Sequence, residues 1–128
     1  MPLTSYILTA LGAYLLGSIP TGYLAAKARG IDIRTVGSGN IGATNAMRVL
    51  GKPVGIAVLL ADALKGFAAV AWLAPVIYNW QEPHDLGLAP GFAAATVAVE
   101  TFKVLAGVCA VLGHNYTCWL KFKGGKGI

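Results

Sequence analysis

The sequence predicts an all-α integral membrane protein, a polytopic helical bundle with about three spanning helices. Of its 128 residues, 56% are hydrophobic and only 12% are charged, whereas charged residues make up about a quarter of an average soluble domain. Three apolar stretches are each long enough for a spanning helix, which needs about 20 residues. The basic residues, ten against five acidic ones, gather on one side of these stretches.

The apolar stretches predict three spans, at about 3–26, 55–78 and 92–120. The first contains no charged side chain, and Pro20 near its end predicts a kink that neighbouring membrane helices can tolerate. The third span has two possible framings. A helix near 92–112 would place Glu100 deep in the bilayer, whereas a helix near 102–120 would place it at the outer surface.

The distribution of Lys and Arg predicts the orientation of the chain. Eight of the ten basic residues lie in segments 27–52 and 121–128, and none lies in segment 79–91. Cytoplasmic loops carry such an excess of basic residues. We therefore expect one membrane domain over 1–128, with the amino terminus and loop 79–91 outside and the two basic segments inside. Because three helices make a thin bundle, we also expect the chain to be the front part of a longer protein.

The basic inner loop contains a segment, 37–48, in which glycines are interspersed with small polar residues. The glycines allow successive backbone N–H groups to point into one concavity that binds anions, and the Arg48 guanidinium suits phosphate oxygens. The alternative is that the inner position of the loop explains Arg48, and that Gly and Asn only form turns. We predict a phosphate-binding loop that uses Ser38, Gly39, Asn40, Thr44, Asn45 and Arg48.

A second Gly- and Lys-rich segment lies at 124–127. Its glycines allow the backbone to approach a ligand closely, and Lys126 supplies a point charge. The alternative is a basic tail at the membrane interface, where three lysines with Trp119 and Phe122 would attract anionic lipid head groups. On the first interpretation, a second anion-binding turn is formed by Gly124, Gly125 and Lys126.

Further polar residues lie near the inner ends of the second and third spans. Histidine side chains in general titrate near neutral pH, which makes His114 a candidate general base, although a histidine at a helix end is more often structural. Asn115 follows it as a supporting residue. Asp62 and Lys65 share one helix face, and an ion pair inside a membrane is costly and marks a functional site by default. We favour a supporting role for this pair, which would tether the loop above it.

These motifs, in this order and with these gaps, resemble one family: the bacterial membrane glycerol-3-phosphate acyltransferases that use acyl-phosphate as donor, the PlsY family. The resemblance covers most of the chain except about 79–101. It is carried by YLLGSIPTGY at 14–23, DIR at 32–34, GSGNIGATN at 37–45 with Arg48 and Gly51-Lys52, DxxKG at 62–66, GHN at 113–115 and FKGGKG at 122–127.

The resemblance implies a seven-helix fold in the bacterial plasma membrane, with the active site on the cytosolic face. It implies transfer of a fatty acyl group from acyl-phosphate to the 1-hydroxyl of sn-glycerol 3-phosphate, giving 1-acyl-glycerol 3-phosphate and phosphate, the first step of phospholipid synthesis. Loop 37–48 would hold one phosphate, and Lys126 with its turn would hold the other or neutralise the leaving group. The base would be His114, a substrate phosphate or a group beyond Ile128, where the family has a further motif with His, Asn and Arg.

The rival interpretation is a membrane transporter or channel subunit for phosphate or an organic phosphate. Asp62 and Lys65, with Glu100 and Lys103 at the same spacing, would then line a pathway. Against it, the phosphate-like motifs cluster on one face, whereas transporters place their site near the midplane. We expect no metal or cofactor, because the cysteines lack metal spacing, and no nucleic acid, because the basic residues form no continuous patch. The expected partners are the two substrates and membrane lipids.

Overall fold

The computed structural model describes residues 3–81 and 92–126. All regular elements within these residues are helical, as the sequence predicts. Six α-helices follow one another: α1 (Leu3–Gly17), α2 (Thr21–Lys27), α3 (Ala43–Leu50), α4 (Lys52–Ala68), α5 (Ala74–Gln81) and α6 (Phe92–Asn115). Short 3-10 turns lie at Ile33–Thr35 and Cys118–Leu120, and a π-helical turn at Ala69–Leu73 joins α4 to α5.

Three helical segments are long and apolar enough to cross a membrane: Leu3–Lys27, Lys52–Trp80 and Thr96–Leu120. Their number agrees with the predicted bundle of about three spanning helices. The third helix covers Phe92–Asn115, and its apolar segment runs over Thr96–Leu120, so both framings of the third span remain predictions. Glu100 lies four residues, about 6 Å along the helix axis, from the first residue of the third apolar segment. Most of the expected outer loop at 79–91 lies outside the described residues.

The first span is broken where the sequence predicts a kink. The helix α1 ends at Gly17 and α2 starts at Thr21, because the intervening Pro20 has no N–H group with which to continue the hydrogen-bond ladder. The Ser18 carbonyl, which lies in this break, accepts a hydrogen bond from the Thr117 hydroxyl at 2.5 Å. In a bilayer such freed backbone groups must find partners inside the protein. Side chains outside the first span therefore donate hydrogen bonds to carbonyls of the break.

The helices α1 and α6 pack closely through small residues. Gly17 lies against the backbone of Ala110, and Gly113 lies against the backbone of Tyr14, so a Cβ at either glycine would collide with main-chain atoms. The core between the two helices consists mainly of buried alanines. Small residues allow membrane helices to approach closely where no hydrophobic force drives them together. The contact fixes the end of α6, which carries His114, against the break in the first span.

The inner segment 27–52, expected as a loop, folds into a cap that contains α3. This helix packs on α4 where Gly55 meets the backbone of Met47. Arg29 donates a hydrogen bond to the Leu50 carbonyl at 3.0 Å and so satisfies the end of α3. A buried cluster joins the cap to the spans and consists of Ala26, Ile33, Ile41, Ala46, Leu50, Val58 and Leu120.

An exposed ion pair closes the turn that leads into the cap. The Arg34 guanidinium donates to both carboxylate oxygens of Asp32, at 2.9 and 2.7 Å, and the Arg34 N–H donates to the same carboxylate at 3.1 Å. These hydrogen bonds lower the pKa of Asp32 from its ordinary 3.8 to about 2. Arg34 also lies over the Tyr23 ring, 5.0 Å from its centroid, which links this turn to α2.

Candidate functional site

A cavity of about 600 Å³ opens at the basic end of the bundle, which carries α3 and residues 113–126. Its polar wall contains Asn40, Thr44, Asp62, Lys65, His114 and Lys126. Its apolar wall contains Leu59, Val70, Ala110 and Val111, with Gly66 and Gly107 between them. The π-helical turn contributes Val70 to this wall, and such turns are frequent at functional sites. The division suits a ligand that has a polar head and an apolar tail.

Asn45 shapes the loop that borders the cavity. Its side chain is 1% exposed. Its carbonyl oxygen accepts the Ser38 N–H at 3.0 Å, and its amide group donates to the carbonyls of Val36 at 3.0 Å and Asn40 at 2.9 Å. A Cβ at Gly37, where φ is +61°, would collide with the Asn45 side chain. The sequence predicts a phosphate contact for Asn45, but the structure commits its amide to the loop and leaves it off the cavity wall.

The N-terminus of α3 faces the cavity through Gly42, Ala43 and Thr44. The first helical hydrogen bond runs from the Ala46 N–H to the Gly42 carbonyl, so the N–H groups of residues 43–45 have no partner within the helix. The Asn40 side chain accepts the Gly42 N–H at 3.0 Å and holds the chain as it enters the helix. Such an N-terminus, with its positive partial charge, binds anions.

The remaining predicted loop residues lie around the rim of the cavity. Thr44 and Arg48 are both exposed on α3 and, four residues apart, share a face. Arg48 makes no hydrogen bond or ion pair to any described residue. Ser38 is exposed and accepts the Asn40 N–H at 3.4 Å, and Gly39 adopts a φ of +71°. Of these four, the cavity wall includes Thr44.

Three polar side chains of the cavity wall form a network with Thr21. Lys65 is 8% exposed. Its ammonium group donates to the Asp62 carboxylate at 2.7 Å and to the Ile19 carbonyl in the helix break at 2.8 Å. It also lies 3.2 Å from Nδ1 of His114. The Thr21 hydroxyl donates to the same Asp62 oxygen at 2.5 Å. The pair therefore joins α4 to the helix break and to α6, rather than tethering the loop as the sequence predicts.

The tail that carries Lys126 is attached to the end of α6. The Gly124 N–H donates to the Asn115 carbonyl at 3.0 Å, and the Gly125 N–H donates to the His114 carbonyl at 2.9 Å. Both N–H groups are thus used to cap the helix, and neither is free for a phosphate. Gly125 is buried against the His114 ring, where a Cβ would collide with it. Lys126 is exposed and extends from this tail to the cavity wall.

Sequence reasoning identifies six polar residues of the cavity wall but misses three features of the site. Thr21 belongs to the segment that resembles the family, yet its polarity alone gives no signal of a partner in α4. The Ile19 carbonyl becomes available only through the helix break. The apolar wall is built from residues of α4, α6 and the π-helical turn, and the sequence pattern alone does not distinguish these residues from lipid-facing ones.

Asn115, predicted to support the site, has its side-chain oxygen buried without a partner among the described residues.

A second ion pair lies away from the cavity. Lys103 contacts Glu100 at 2.7 Å on α6, and Glu100 lies fourteen residues, about 21 Å along the helix, from His114. It borders a separate shallow groove. Within the residues that the structure describes, no group of three or more His, Cys, Asp or Glu side chains could hold a metal ion.

An all-helical bundle with apolar spanning segments, a polar cavity at one end and a helix N-terminus in its wall defines an integral membrane protein with a candidate anion site. The family model for glycerol-3-phosphate acyltransferase matches residues 7–128. This chain belongs to that family.

Curated relatives agree with this assignment. The chain is 52% identical over 126 residues to the glycerol-3-phosphate acyltransferase of Geotalea daltonii, covering 98% of this chain and 55% of the relative. It is 44% identical over 131 residues to the enzyme of that name from Clostridioides difficile, covering 100% of this chain and 56% of the relative. The chain therefore spans about half the length of the curated relatives it matches.

Solved structures agree with the fold. The chain superposes with a TM-score of 0.72 and 38% identity on the crystal structure of PlsY (YgiH), described as an integral membrane glycerol 3-phosphate acyltransferase in its glycerol 3-phosphate form. The match covers 97% of this chain and 52% of that one. A second form, with lysophosphatidic acid, gives a TM-score of 0.69.

Proposed function

We propose that the protein containing this chain transfers a fatty acyl group from acyl-phosphate to the 1-hydroxyl of sn-glycerol 3-phosphate. The products are 1-acyl-glycerol 3-phosphate and inorganic phosphate. The observation that carries the proposal is a cavity whose lining combines a helix N-terminus and a lysine with apolar side chains. Family membership supports the acceptor, and the mixed polar and apolar lining supports a donor that combines an acyl chain with a phosphate.

The polar side of the cavity supplies contacts for phosphate. The N–H groups at the start of α3 and the side chains of Asn40 and Thr44 hold one phosphate, with Ser38, Gly39 and Arg48 completing the site from the rim. Lys126 holds the second phosphate or neutralises the phosphate that leaves, and Gly124 and Gly125 fix its position. Asn45 acts indirectly, because it sets the conformation of the loop.

The apolar side supplies the place for the acyl chain. Leu59, Val70 and Val111 form this side, and the helices that carry them belong to the apolar segments Lys52–Trp80 and Thr96–Leu120. A chain bound there stays in an apolar environment while its phosphate meets donors. The two phosphates and the acyl carbonyl then lie together where the polar and apolar parts of the cavity meet.

The chemistry needs no nucleophile from the protein. The hydroxyl oxygen of glycerol 3-phosphate attacks the acyl carbonyl carbon, the bond from that carbon to the phosphate oxygen breaks, and the hydroxyl proton passes to a base. The acyl-phosphate bond is already activated, so positioning and stabilisation of the developing oxyanion supply most of the rate enhancement. His114 and Lys126 line the cavity in which we propose that these groups react.

We further propose that the protein lies in the bacterial plasma membrane with the basic end in the cytosol and the amino terminus outside. The basic residues of the cap and the tail support this orientation. Trp119 and Phe122 are 64% and 62% exposed beside Lys121 and Lys123. Aromatic and basic residues in this arrangement are typical of the membrane interface, where they contact lipid head groups.

The test is acyl transfer to labelled glycerol 3-phosphate in lipid nanodiscs. Acyl-phosphate, acyl-CoA and acyl-carrier protein are supplied as donors in parallel, to the 128-residue chain and to the full-length protein. Transfer from acyl-phosphate alone supports the proposal. Transfer only from a thioester donor contradicts the proposed donor, and uptake of glycerol 3-phosphate into liposomes without acylation favours the transporter interpretation.

A further inference from the structure

The Lys65 ammonium has three hydrogens and three polar atoms within hydrogen-bond distance. They are an oxygen of Asp62 at 2.7 Å, the Ile19 carbonyl at 2.8 Å and Nδ1 of His114 at 3.2 Å. A lysine ammonium can only donate hydrogen bonds. Lys65 therefore has no hydrogen left for a substrate, although it lines the cavity, and its contact with His114 requires a lone pair on Nδ1.

The Lys65 contact also fixes where the proton of His114 lies. A neutral imidazole carries one proton, and when Nδ1 accepts a hydrogen bond that proton lies on Nε2. A doubly protonated ring would place two donors against each other at 3.2 Å. Asp62 offers no alternative for an Nδ1 proton, because its nearest oxygen is 3.8 Å away and already accepts from Thr21 and Lys65.

The Nε2 edge of the His114 ring is the edge that is left for a ligand. It lies against Gly125, where any larger residue would collide with it, and no described residue accepts a hydrogen bond from it. His114 lines the cavity together with Thr44 and Lys126. A hydrogen on Nε2 can therefore reach an oxygen of a bound molecule at this point of the wall.

We infer that His114 acts as a fixed hydrogen-bond donor through Nε2, and that Lys65 is the positioning residue that holds the ring in this tautomer. The acceptor is a negatively charged or polarised oxygen of a phosphate-bearing or acyl-phosphate substrate, and in this respect the inference rests on the proposed function. His114 is then not the general base of the reaction, because the nitrogen that could accept a proton is occupied by Lys65.

The tautomer can be measured without any reaction. The full-length protein is labelled with 15N-histidine and placed in nanodiscs, and the His114 signals are assigned by their loss in His114→Gln. We expect a neutral ring with hydrogen on Nε2 and a bare Nδ1. Lys65→Gln, which keeps a donor in place of the ammonium, should retain this tautomer, whereas Lys65→Met should give a mixture. A native ring that carries hydrogen on Nδ1, or on both nitrogens, would overturn the inference even if Lys65→Met fails to fold.

Two isosteric replacements then separate the roles of the two nitrogens in acyl transfer. Gln places an amide N–H near the position of Nε2, whereas Asn places a carbonyl oxygen near Nδ1. A donor through Nε2 predicts that His114→Gln retains transfer within about tenfold and that His114→Asn loses roughly 10- to 100-fold, the cost of one hydrogen bond to a charged group. Equal loss in both variants, or retention in His114→Asn alone, contradicts the donor role. If the native protein transfers no acyl group from any donor, the proposed function fails while the tautomer measurement still decides the state of the ring.

Discussion

Two ion pairs with the same spacing occupy contrasting environments in this bundle. Asp62 and Lys65 lie inside it beside the cavity, and their side chains are 17% and 8% exposed. Glu100 and Lys103 lie on the surface of α6, and their side chains are 58% and 33% exposed. Both pairs are three residues apart on a helix and both have an N–O distance of 2.7 Å.

The difference between the pairs lies in their neighbours. The inner pair is completed by Thr21, the Ile19 carbonyl and His114, because buried charges are tolerated only when their hydrogen-bonding capacity is satisfied. No further partner is found among the described residues for the Glu100 and Lys103 side chains, which lie on the surface of the bundle. The buried pair on α4 thus makes hydrogen bonds to α2, to the helix break and to α6. The exposed pair of the same spacing makes no such contact with another helix among the described residues.

The inner ion pair lies beside the cavity at the basic end of the bundle, so we expect acyl transfer to depend on residues of that end. Among them, substitution of Arg48 should have the largest effect on activity. Arg48→Ala should abolish acyl transfer, because it removes a guanidinium that the proposed site uses for phosphate. Membrane insertion and thermal stability should not change, since Arg48 is exposed and has no side-chain partner in the part of the chain that the structure describes. The measurement is turnover in nanodiscs with Lys52→Ala, also basic and exposed, as the matched control. Full activity in Arg48→Ala would exclude the phosphate-binding role.

The next largest effect is expected on the stability of the protein when either ion pair loses its lysine. Lys65→Met should destabilise the protein by about 3–5 kcal/mol, because it leaves the Asp62 carboxylate buried without its partner. The matched variant Lys103→Met should cost less, because Glu100 lies on the surface of the bundle near the start of the spanning segment, where its carboxylate can reach the membrane interface. Unfolding in mixed micelles, followed by circular dichroism with increasing denaturant, measures both. Equal effects would mean that burial does not distinguish the two pairs.

Lys126 tests the part of the basic end that contacts the cavity from the tail. Lys126→Ala should lower the rate of transfer at least about tenfold, because one charge-assisted contact contributes roughly 1.5–3 kcal/mol. Lys123→Ala removes an equally exposed lysine of the same tail that does not line the cavity, and should leave the rate close to native. If both variants turn over at the native rate, the tail is a lipid anchor and not part of the site.

A substitution at Gly113 tests how much the close contact between α1 and α6 contributes to the stability of the protein. Gly113→Ala places a Cβ against the Tyr14 backbone and should destabilise the protein by about 1–3 kcal/mol. Gly66→Ala, at a helical position where a Cβ meets nothing within 4 Å, should be neutral or stabilising by up to about 1 kcal/mol. Thermal unfolding of the two variants side by side is the measurement. A stable Gly113→Ala variant would show that the α1–α6 contact can relax.

A third ion pair, Asp32 with Arg34, extends the comparison to the inner segment outside the spans and gives the smallest effect. Because the folded-state pKa of Asp32 is lowered to about 2, its contribution is present above pH 4 and is lost as the pH falls from about 4 to 2. Asp32→Asn should remove this small acid-dependent component, seen as a shallower loss of stability with falling pH. An unchanged pH profile would show that the pair makes no contribution.

Much of the fold could be predicted because the membrane imposes simple rules. Low charge and three apolar stretches predict spanning helices, and Pro20 predicts the break between α1 and α2. The cap was less predictable: segment 27–52 reads as a loop, yet Ala46 and Leu50 bury themselves against Val58. Helix α3 is short and is stabilised by these tertiary contacts rather than by its own sequence.

The candidate site was predictable in its residues but not in their roles. Small polar residues among glycines, and a lysine in a Gly-rich turn, are a local pattern that favours anion binding. Whether a given side chain faces the ligand depends on what else it contacts. Asn40 and Asn45 are the same residue type in the same loop, but Asn45 is buried with its amide fully used, whereas Asn40 lines the cavity.

The sequence by itself determined the helical class, the one-sided distribution of positive charge and the motifs that mark the family. These follow from composition and local order, since hydrophobicity and backbone propensity act residue by residue. Only the tertiary structure decided that Lys65 contacts Ile19 and His114, which lie 46 and 49 residues away. It also decided which of two identically spaced ion pairs is buried. The physical reason is that burial and hydrogen-bond partners belong to the packed arrangement of several helices, and no single segment of the chain specifies them.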